Sequence, residues 1–265
     1  MSFSYDLYVP RASWLHALDP RVKLWATGLG MATALLLRQP PALAALLILA
    51  HVILLSARIP AERLRWVWAR MAPVTLFILL LQPWTLPNAG PALVEMGPLR
   101  LTAAGLVSAV AFALRANALA FIAAALLLTT DQTHLVRGLV RLGLPYNWGL
   151  TISLALRYLP TTYGMYQSIV EAQRARGWAP GGESGLRRFV GRVRSYLPVL
   201  VAVMIGAIRL SDRLALALTA RGLDAGPRTV WQEIRMTRGD WLALAATSGA
   251  FVALLAARFG AKVPL

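Results

Sequence analysis

The sequence predicts an all-α polytopic membrane protein, with about five transmembrane helices and a pair of long amphipathic helices outside the bilayer. Of its 265 residues, 58% are hydrophobic and only 14% are charged. A single soluble core of this size cannot bury so much apolar surface. Long apolar runs alternate with a basic segment in which apolar residues keep a helical period. These observations together define the predicted fold class.

Five apolar runs are the candidate membrane spans. They cover Val22–Leu37, Pro41–Ala57, Ala72–Leu86, Leu101–Leu128 and Trp241–Ala257. A helix needs about 20 residues to cross the hydrocarbon layer, so the shorter runs require flanking Trp, Arg or Lys side chains that reach the interface. A short Arg-Gln-Pro link follows the first run, and Pro is suited to the first turn of a helix. We therefore expect residues 22–57 to form a helical hairpin.

The distribution of positive charge predicts the orientation. Four arginines lie between residues 58 and 70, whereas the links at 38–40 and 87–100 hold one arginine each. Cytoplasmic connections carry an excess of Lys and Arg. The arginine-rich stretch and the N-terminus are therefore predicted to lie inside the cell.

Most of the excess charge lies in the segment 131–238. This segment contains 15 arginines against six acidic residues, in a chain whose net charge is +16. Anionic lipid beside a cytoplasmic face accounts for such an excess, so nucleic acid is not an expected partner. The predicted organisation therefore has three parts: N-terminal transmembrane helices in 1–130, a cytoplasmic domain in 131–238 and a C-terminal transmembrane helix in 239–265.

Two helices of the cytoplasmic segment carry apolar faces. Spacings of three or four residues join Ile152, Leu156, Leu159, Tyr163, Tyr166 and Val170 in the first helix. In the second helix, one heptad position is occupied by Val190, Leu197, Met204 and Leu218. These periods are typical of amphipathic helices rather than of membrane spans.

Both helices end in the same tripeptide, Ala175-Arg176-Gly177 in the first and Ala220-Arg221-Gly222 in the second. Glycine takes the left-handed conformation that ends many helices, because it has no β-carbon to clash. The preceding arginine is then displayed on the last turn, where the helix dipole favours a cation. The sequence therefore predicts two basic tips that dock onto a partner.

A second tripeptide also occurs twice, as Tyr158-Leu159-Pro160 and Tyr196-Leu197-Pro198, and we expect each to lie near the start of its helix. The separation from proline to tip arginine is 16 residues in the first helix (160 to 176) and 23 in the second (198 to 221). The difference of seven residues is about two turns, so the second tip should extend roughly 10 Å further on nearly the same face. Pro160 and Pro198 are the predicted hinges.

Five segments of the chain, in order, resemble the transmembrane T component (EcfT, CbiQ and BioN type) of energy-coupling factor (ECF) transporters, the vitamin and metal-ion importers of the ABC class. The segments are Leu18–Leu24, Thr129–Asp131, Ser153–Pro160, Glu171–Gly177 and Leu218–Gly222. They are distributed over most of the chain, from residue 18 to residue 222, and include both tripeptides that end the long helices.

The resemblance implies a role for each tip. In that family the two long coupling helices cross, and each Ala-Arg-Gly arginine inserts into one of two cytoplasmic ABC ATPases, so Arg176 and Arg221 are the implied anchors. The ATPases bind ATP and Mg²⁺. A separate substrate-binding membrane subunit (S subunit) rests on the apolar faces of the same helices and selects a vitamin or a transition-metal ion. The implied location is the cytoplasmic (inner) membrane of a bacterium or archaeon.

The sequence itself predicts no catalytic or cofactor site. Lys23 and Lys262 are the only lysines, and neither follows a Gly-x-x-x-x-Gly pattern, so ATP is expected on another chain. There is no cysteine, and the three histidines lie in separate segments, which argues against a metal site. We therefore expect a non-catalytic scaffold that binds no cofactor.

An alternative function is that of a polytopic membrane enzyme whose arginine-rich loops hold a phosphorylated lipid. Such an enzyme needs an acid or a histidine at the membrane surface, and only Asp131 with His134 is available. Asp131 and His134 would then carry the chemistry.

Two features of the fourth apolar run allow two interpretations each. Arg115 lies near the middle of the run, where it is either functional or bonded to carbonyl groups of a neighbouring helix. Gly105, Ala109 and Ala113 form a stripe of small residues that suits close packing of another helix, either internal or from the S subunit.

Overall fold

The computed structural model describes residues 8–11, 13–85, 92–96, 99–178, 194, 196–223 and 236–260. The chain forms two compact units, one of Met1–Pro145 with Ile234–Leu265 and one of Tyr146–Glu233. Apart from one short antiparallel hairpin, the regular structure of the described residues is helical, which confirms the predicted all-α membrane fold. The functional division at residues 131 and 238 stays a prediction.

The helices of the described residues are numbered here in chain order. In chain order they are α1 (Trp14–Ala17), α2 (Pro20–Leu36), α3 (Pro40–Ser56), α4 (Ala61–Leu81), α5 (Ala103–Thr129), α6 (Gln132–Arg141), α7 (Tyr146–Ala175), α8 (Leu197–Ala220) and α9 (Arg238–Gly260). A 3-10 turn (Gln82–Thr85) extends α4, and strands β1 (Ala92–Met96) and β2 (Leu99–Thr102) pair before α5. Helices α7 and α8 belong to the second unit and all the others to the first.

Three helices of the described chain are long and apolar enough to cross a bilayer: Ala61–Trp84, Ala103–Thr129 and Arg238–Ala257. Helices α2 and α3 have 17 residues each. At 1.5 Å per residue each is about 25 Å long, which is slightly less than the ~30 Å hydrocarbon layer. The two helices are joined by a three-residue link, as expected, and Pro40 lies in the first turn of α3. The count of five spans stays a prediction.

One predicted boundary is wrong. The third span was expected to begin at Ala72, with the arginines before it in a connection, but α4 begins at Ala61. Arg63, Arg65 and Arg70 therefore lie on the first turns of the helix itself. Its inward face there is apolar, because Leu64 and Val67 are buried one turn apart. The length of an apolar run underestimates the length of such a helix, because long basic side chains on its first turns can extend toward the membrane interface.

Helix α5 is the centre of the first unit, where α2, α3 and α4 all pack on it. Its Phe121 is fully buried, together with Leu54 of α3. Gly105, Ala109 and Ala113 are buried as well, and Gly105 lies against the carbonyl oxygen of Pro83. The stripe of small residues therefore packs inside this chain, which decides between its two interpretations.

Arg115 of α5 caps the end of α2. Its Nε donates to the carbonyl oxygen of Ala34 at 3.1 Å, and its Nη2 donates to that of Leu37 at 2.7 Å. The last carbonyl groups of a helix have no partner within the helix and carry the negative end of its dipole. Arg115 supplies both a hydrogen-bond donor and a positive charge at this helix end. Of its two interpretations, bonding to carbonyl groups of a neighbouring helix is therefore the correct one.

Replacing Arg115 with Met should destabilise the first unit by about 3 kcal/mol, because two buried carbonyl groups lose a charged donor. The measurement is unfolding of the purified protein in detergent, followed by circular dichroism. Arg38→Met is the matched control, since Arg38 is an exposed arginine in the link that follows α2. Equal stability of the two variants would contradict the capping role of Arg115.

Candidate docking site

The first predicted tip lies at the end of α7. The backbone N–H of Gly177 donates to the carbonyl oxygen of Arg174 at 3.0 Å, and that of Trp178 donates to Gln173 at 3.0 Å. Gly177 has a φ of 85°, in the left-handed region where a β-carbon would be strained. This pattern is a Schellman motif, which ends the helix and leaves Arg176 at its C-cap.

The second tip repeats this geometry at the end of α8. The N–H of Gly222 donates to the carbonyl oxygen of Thr219 at 2.9 Å, and that of Leu223 donates to Leu218 at 3.1 Å. Gly222 has a φ of 74°. Arg221 is the C-cap residue. The two helix ends therefore share one backbone design.

The side chains of the tips are open to a partner. All six residues of the two motifs are exposed, namely Ala175, Arg176, Gly177, Ala220, Arg221 and Gly222. Each arginine is at the negative end of a helix dipole, which stabilises its charge without neutralising it. The alanines add no bulk beside the guanidinium groups. This arrangement suits insertion of each arginine into an acidic groove, and docking itself stays a prediction.

The two Tyr-Leu-Pro tripeptides are not equivalent, which corrects the expectation that both start a helix. Pro198 lies in the first turn of α8, where its missing N–H costs nothing. Pro160 instead lies inside α7, which begins at Tyr146 and has 30 residues against 24 in α8. The arms that follow the prolines still differ by seven residues. The roles of Pro160 and Pro198 as hinges stay predictions.

Most of the predicted apolar stripe of α8 that the structure describes is exposed, and the helix packs through a neighbouring stripe. Leu197, Val201, Met204 and Ile208 are exposed large hydrophobic residues. The buried or half-buried positions follow a neighbouring stripe that includes smaller residues: Val199, Ala202, Val203, Gly206, Ala207, Leu210, Leu214 and Leu218. Because α8 packs on α7, this stripe forms the contact and the larger side chains are left uncovered. Val190 lies outside the described residues.

A polar cluster in the first unit was missed by the sequence analysis. Asp240 accepts the N–H of Asp19 and the N–H of Thr237, each at 2.7 Å, so it joins the start of α9 to the start of α2. Lys23 of α2 donates from Nζ to the carbonyl oxygens of His16 and Thr129 at 3.2 and 3.1 Å. The spacing of Thr237 and Asp240 matches a capping box, and this signal could have located the contact.

These groups surround a cavity of about 230 Å³ that also includes Asp131 and His134, the pair on which the enzyme alternative depends. Asp19 Oδ2 is buried there without a hydrogen-bond partner. Burial lowers the pKa of His16, whose Nε2–H donates to the carbonyl oxygen of Val9 at 3.0 Å and whose Nδ1 is hydrogen-bonded to the hydroxyl of Ser13 at 2.6 Å. Within the described part of the chain, no group of three His, Cys, Asp or Glu side chains is placed to hold a metal ion.

Comparison with known proteins identifies the family. The family model CbiQ, described as a cobalt transport protein, matches residues 11–230. The chain belongs to this family. As an EcfT/CbiQ-like T component with three helices that can cross a bilayer, it is a membrane protein of a transporter.

Several relatives carry the name of energy-coupling factor transporter transmembrane protein EcfT. The protein of Heliobacterium modesticaldum is 32% identical over an alignment of 257 positions, which covers 92% of this chain and 93% of the relative. That of Listeria innocua is 30% identical over an alignment of 266 positions, which covers 91% of this chain and 94% of the relative. A putative ABC transporter ATP-binding protein of Bifidobacterium longum is 30% identical over 258 residues. The match covers 93% of this chain but about a third (32%) of that longer protein.

Proposed function

We propose that this chain is the scaffold and energy-coupling subunit of an ECF-type ABC importer in the cytoplasmic (inner) membrane of a bacterium or archaeon, which it crosses several times. Two cytoplasmic ABC ATPases bind its tips, one at Arg176 and one at Arg221. A membrane-embedded S subunit binds its exposed apolar surface and delivers a vitamin or a transition-metal ion. The chain performs no chemistry and binds no cofactor, because ATP and Mg²⁺ are held by the ATPases.

The twin helix ends carry this proposal. Two exposed arginines at two identical C-caps offer the same chemical group twice, which fits two similar partners better than one. The planar guanidinium bonds a carboxylate through two parallel hydrogen bonds, so it gives an orientation as well as a charge. The Bifidobacterium relative adds support, since a protein named for ATP binding includes a segment similar to 93% of this chain.

The S subunit is proposed from the exposed face of α8. Leu197, Val201, Met204 and Ile208 are each about half exposed, at 48%, 54%, 55% and 58%. Apolar patches of this kind mark contacts with proteins or with lipid. In a transporter, a membrane partner that covers this face would sense movement of α8 directly. The description of the family as cobalt transport supports a transition-metal ion as one substrate class.

The proposal is tested by assembly. The chain, purified alone in detergent, should bind no fluorescent ATP analogue, and co-expression with its ATPases should yield a complex with two ATPase subunits per chain. The complex should bind the analogue, and an ATPase variant without its phosphate-binding lysine should not. Nucleotide binding by the isolated chain would contradict the scaffold function. Release of phosphate from phosphorylated lipids by the same preparation would favour the enzyme alternative.

A further inference from the structure

The link between α3 and α4 contains an arginine in a strained backbone conformation. Arg58 has a φ of 57°, the only positive φ at a described residue other than glycine. The N–H of Arg58 donates to the carbonyl oxygen of Leu55 at 2.9 Å, and that of Ile59 donates to Leu54 at 3.2 Å, so α3 ends in the same Schellman motif as the two tips. In both tips glycine occupies the left-handed position, where a side chain is unfavourable. The cost of an arginine at this position indicates a use for its side chain.

Two further arginines lie in one row on α4. Arg63, Trp66 and Arg70 are spaced by three and four residues, which places them on one side of the helix. All three are exposed, whereas Leu64 and Val67 between them are buried. The guanidinium carbon of Arg70 lies 5.0 Å from the centre of the Trp66 ring, one turn earlier in the helix. Arg70 therefore reaches back toward the start of α4, which is the direction in which helical side chains tilt.

The positive charge of these arginines is not neutralised by the described part of the chain. Arg58, Arg63 and Arg70 are exposed, and none of them forms a salt bridge with any residue that the structure describes. Arg115 of the same unit differs, because it is bonded to two carbonyl groups. Between residues 58 and 70 the sequence has four arginines and one acidic residue, Glu62. An anion is therefore the expected partner of this surface.

Tryptophans indicate the depth of this surface in the bilayer. Trp66 is 41% exposed, and Trp14 of α1 is 55% exposed. Nε1 of Trp14 donates to Oγ of Ser56 at 3.3 Å, which places α1 beside the last turn of α3, close to Arg58 in the sequence. Tryptophan side chains concentrate at the membrane–water interface, at the level of the lipid headgroups. The anion at this level of a membrane protein is the phosphate of a lipid.

We propose that Arg58, Arg63, Trp66 and Arg70 form a binding site for the headgroup of an anionic phospholipid, the α4 headgroup site. The guanidinium groups hold the phosphate oxygens, since each can bond phosphate through two parallel hydrogen bonds. Trp66 packs on the apolar part of the same lipid. A bound headgroup fixes the depth at which α4 enters the membrane. The site does not depend on ATPase docking, because it lies in the first unit and both tips lie in the second.

The first experiment measures lipid affinity. The full chain, purified in detergent, is titrated with phosphatidylglycerol or with zwitterionic phosphatidylcholine, and bound lipid is counted by native mass spectrometry. Phosphatidylglycerol should bind more tightly. Arg63→Gln combined with Arg70→Gln should weaken that binding about 25-fold, or about fivefold per arginine, and leave binding of phosphatidylcholine unchanged. Equal affinity of the unsubstituted chain for the two lipids would overturn the site.

Two matched controls distinguish a site from general attraction between charges. Arg65 is exposed and only two residues from Arg63, but it is turned about 160° away around α4. Arg38 is exposed at the other end of α3. Arg65→Gln and Arg38→Gln each remove one charge, as Arg63→Gln does, and each should keep the affinity for phosphatidylglycerol. A loss at either control position as large as the loss at Arg63 would overturn the site.

A pair of substitutions separates the side chain of Arg58 from its backbone. Arg58→Gly and Arg58→Ala both remove the guanidinium group, so both should weaken phosphatidylglycerol binding about fivefold. Glycine relieves the strain and alanine keeps it. The glycine variant should therefore unfold at a higher temperature than the alanine variant, and no lower than the unsubstituted chain. Full affinity in the glycine variant, or its earlier unfolding, would overturn the role of Arg58 in lipid binding.

Two further measurements test the other possible occupants. Inorganic phosphate, added at the concentration of the lipid, should not displace phosphatidylglycerol, because it cannot pack on Trp66. Displacement would assign the site to a soluble phosphate ion. In phosphatidylcholine nanodiscs, the variant with Arg63→Gln and Arg70→Gln should retain the ATPases as well as the unsubstituted chain does, and a selective loss would assign the surface to a protein partner. If neither chain binds an ATPase, the proposed function fails and the lipid titration still decides the α4 headgroup site.

Discussion

Replacing both Arg176 and Arg221 with alanine should release the ATPases and abolish transport, while the protein still inserts into the membrane. Each arginine makes a charge-assisted contact worth roughly 1.5–3 kcal/mol, so each single substitution should weaken docking about ten- to a hundredfold. The two residues lie on separate helix ends without shared partners. Their effects should therefore add, which gives a loss of about a hundred- to ten-thousandfold for the double variant.

Matched controls come from the same two helices. Arg157 of α7 and Arg209 of α8 are exposed arginines away from the tips, so Arg157→Ala with Arg209→Ala removes the same net charge. This control should keep wild-type docking in a pulldown with both ATPases. Arg→Lys substitution at both tips should recover only part of the affinity, because lysine keeps the charge and loses the planar fork. Wild-type docking by the double alanine variant would show that the tips are not the anchors.

Changing the length of α8 before its tip should separate docking from coupling. Deleting Leu210–Leu216 removes seven residues, which shortens the arm by roughly 10 Å and changes its facing by only about 20°. Deleting Leu210–Leu214 removes five residues and rotates the tip by about 140°, since each residue turns about 100°. Both deletions spare the Schellman motif at Gly222.

We expect the seven-residue deletion to keep ATPase binding and lose ATP-dependent uptake, because the arginine keeps its facing while the lever is shorter. The five-residue deletion should lose binding as well. Pulldown and uptake assays on both proteins provide the measurement, and circular dichroism verifies that their helix content is retained. Equal binding by the two deletions would show that the facing of Arg221 is irrelevant to docking.

The features that the sequence predicted well are those encoded by neighbouring residues. Gly177 and Gly222 end their helices in the left-handed conformation, as their tripeptides indicated, because a Schellman motif needs only a few consecutive residues. The link before Pro40 follows the same local logic. Local chemistry was therefore sufficient to locate both ends of the candidate site.

The features that the sequence missed depend on distant partners. The bonds of Arg115 reach carbonyl groups 81 and 78 residues away, so only the fold could decide between its two interpretations. The face that α8 buries against α7 could not be predicted, for a similar reason. Periodicity identifies an apolar stripe, but the side of α8 that packs depends on the neighbouring helix α7. Pro160 shows the third limit, since a proline signals a helix start only where no earlier turn precedes it.

The hydrogen bonds of Asp240 and Lys23 join parts of the first unit, the membrane body, that are far apart in the sequence. The start of α2 is fastened to residues 221 and 106 positions away, at Asp240 and Thr129, and the whole second unit is inserted in the sequence between those two partners. The membrane body is thus closed by its own noncovalent bonds.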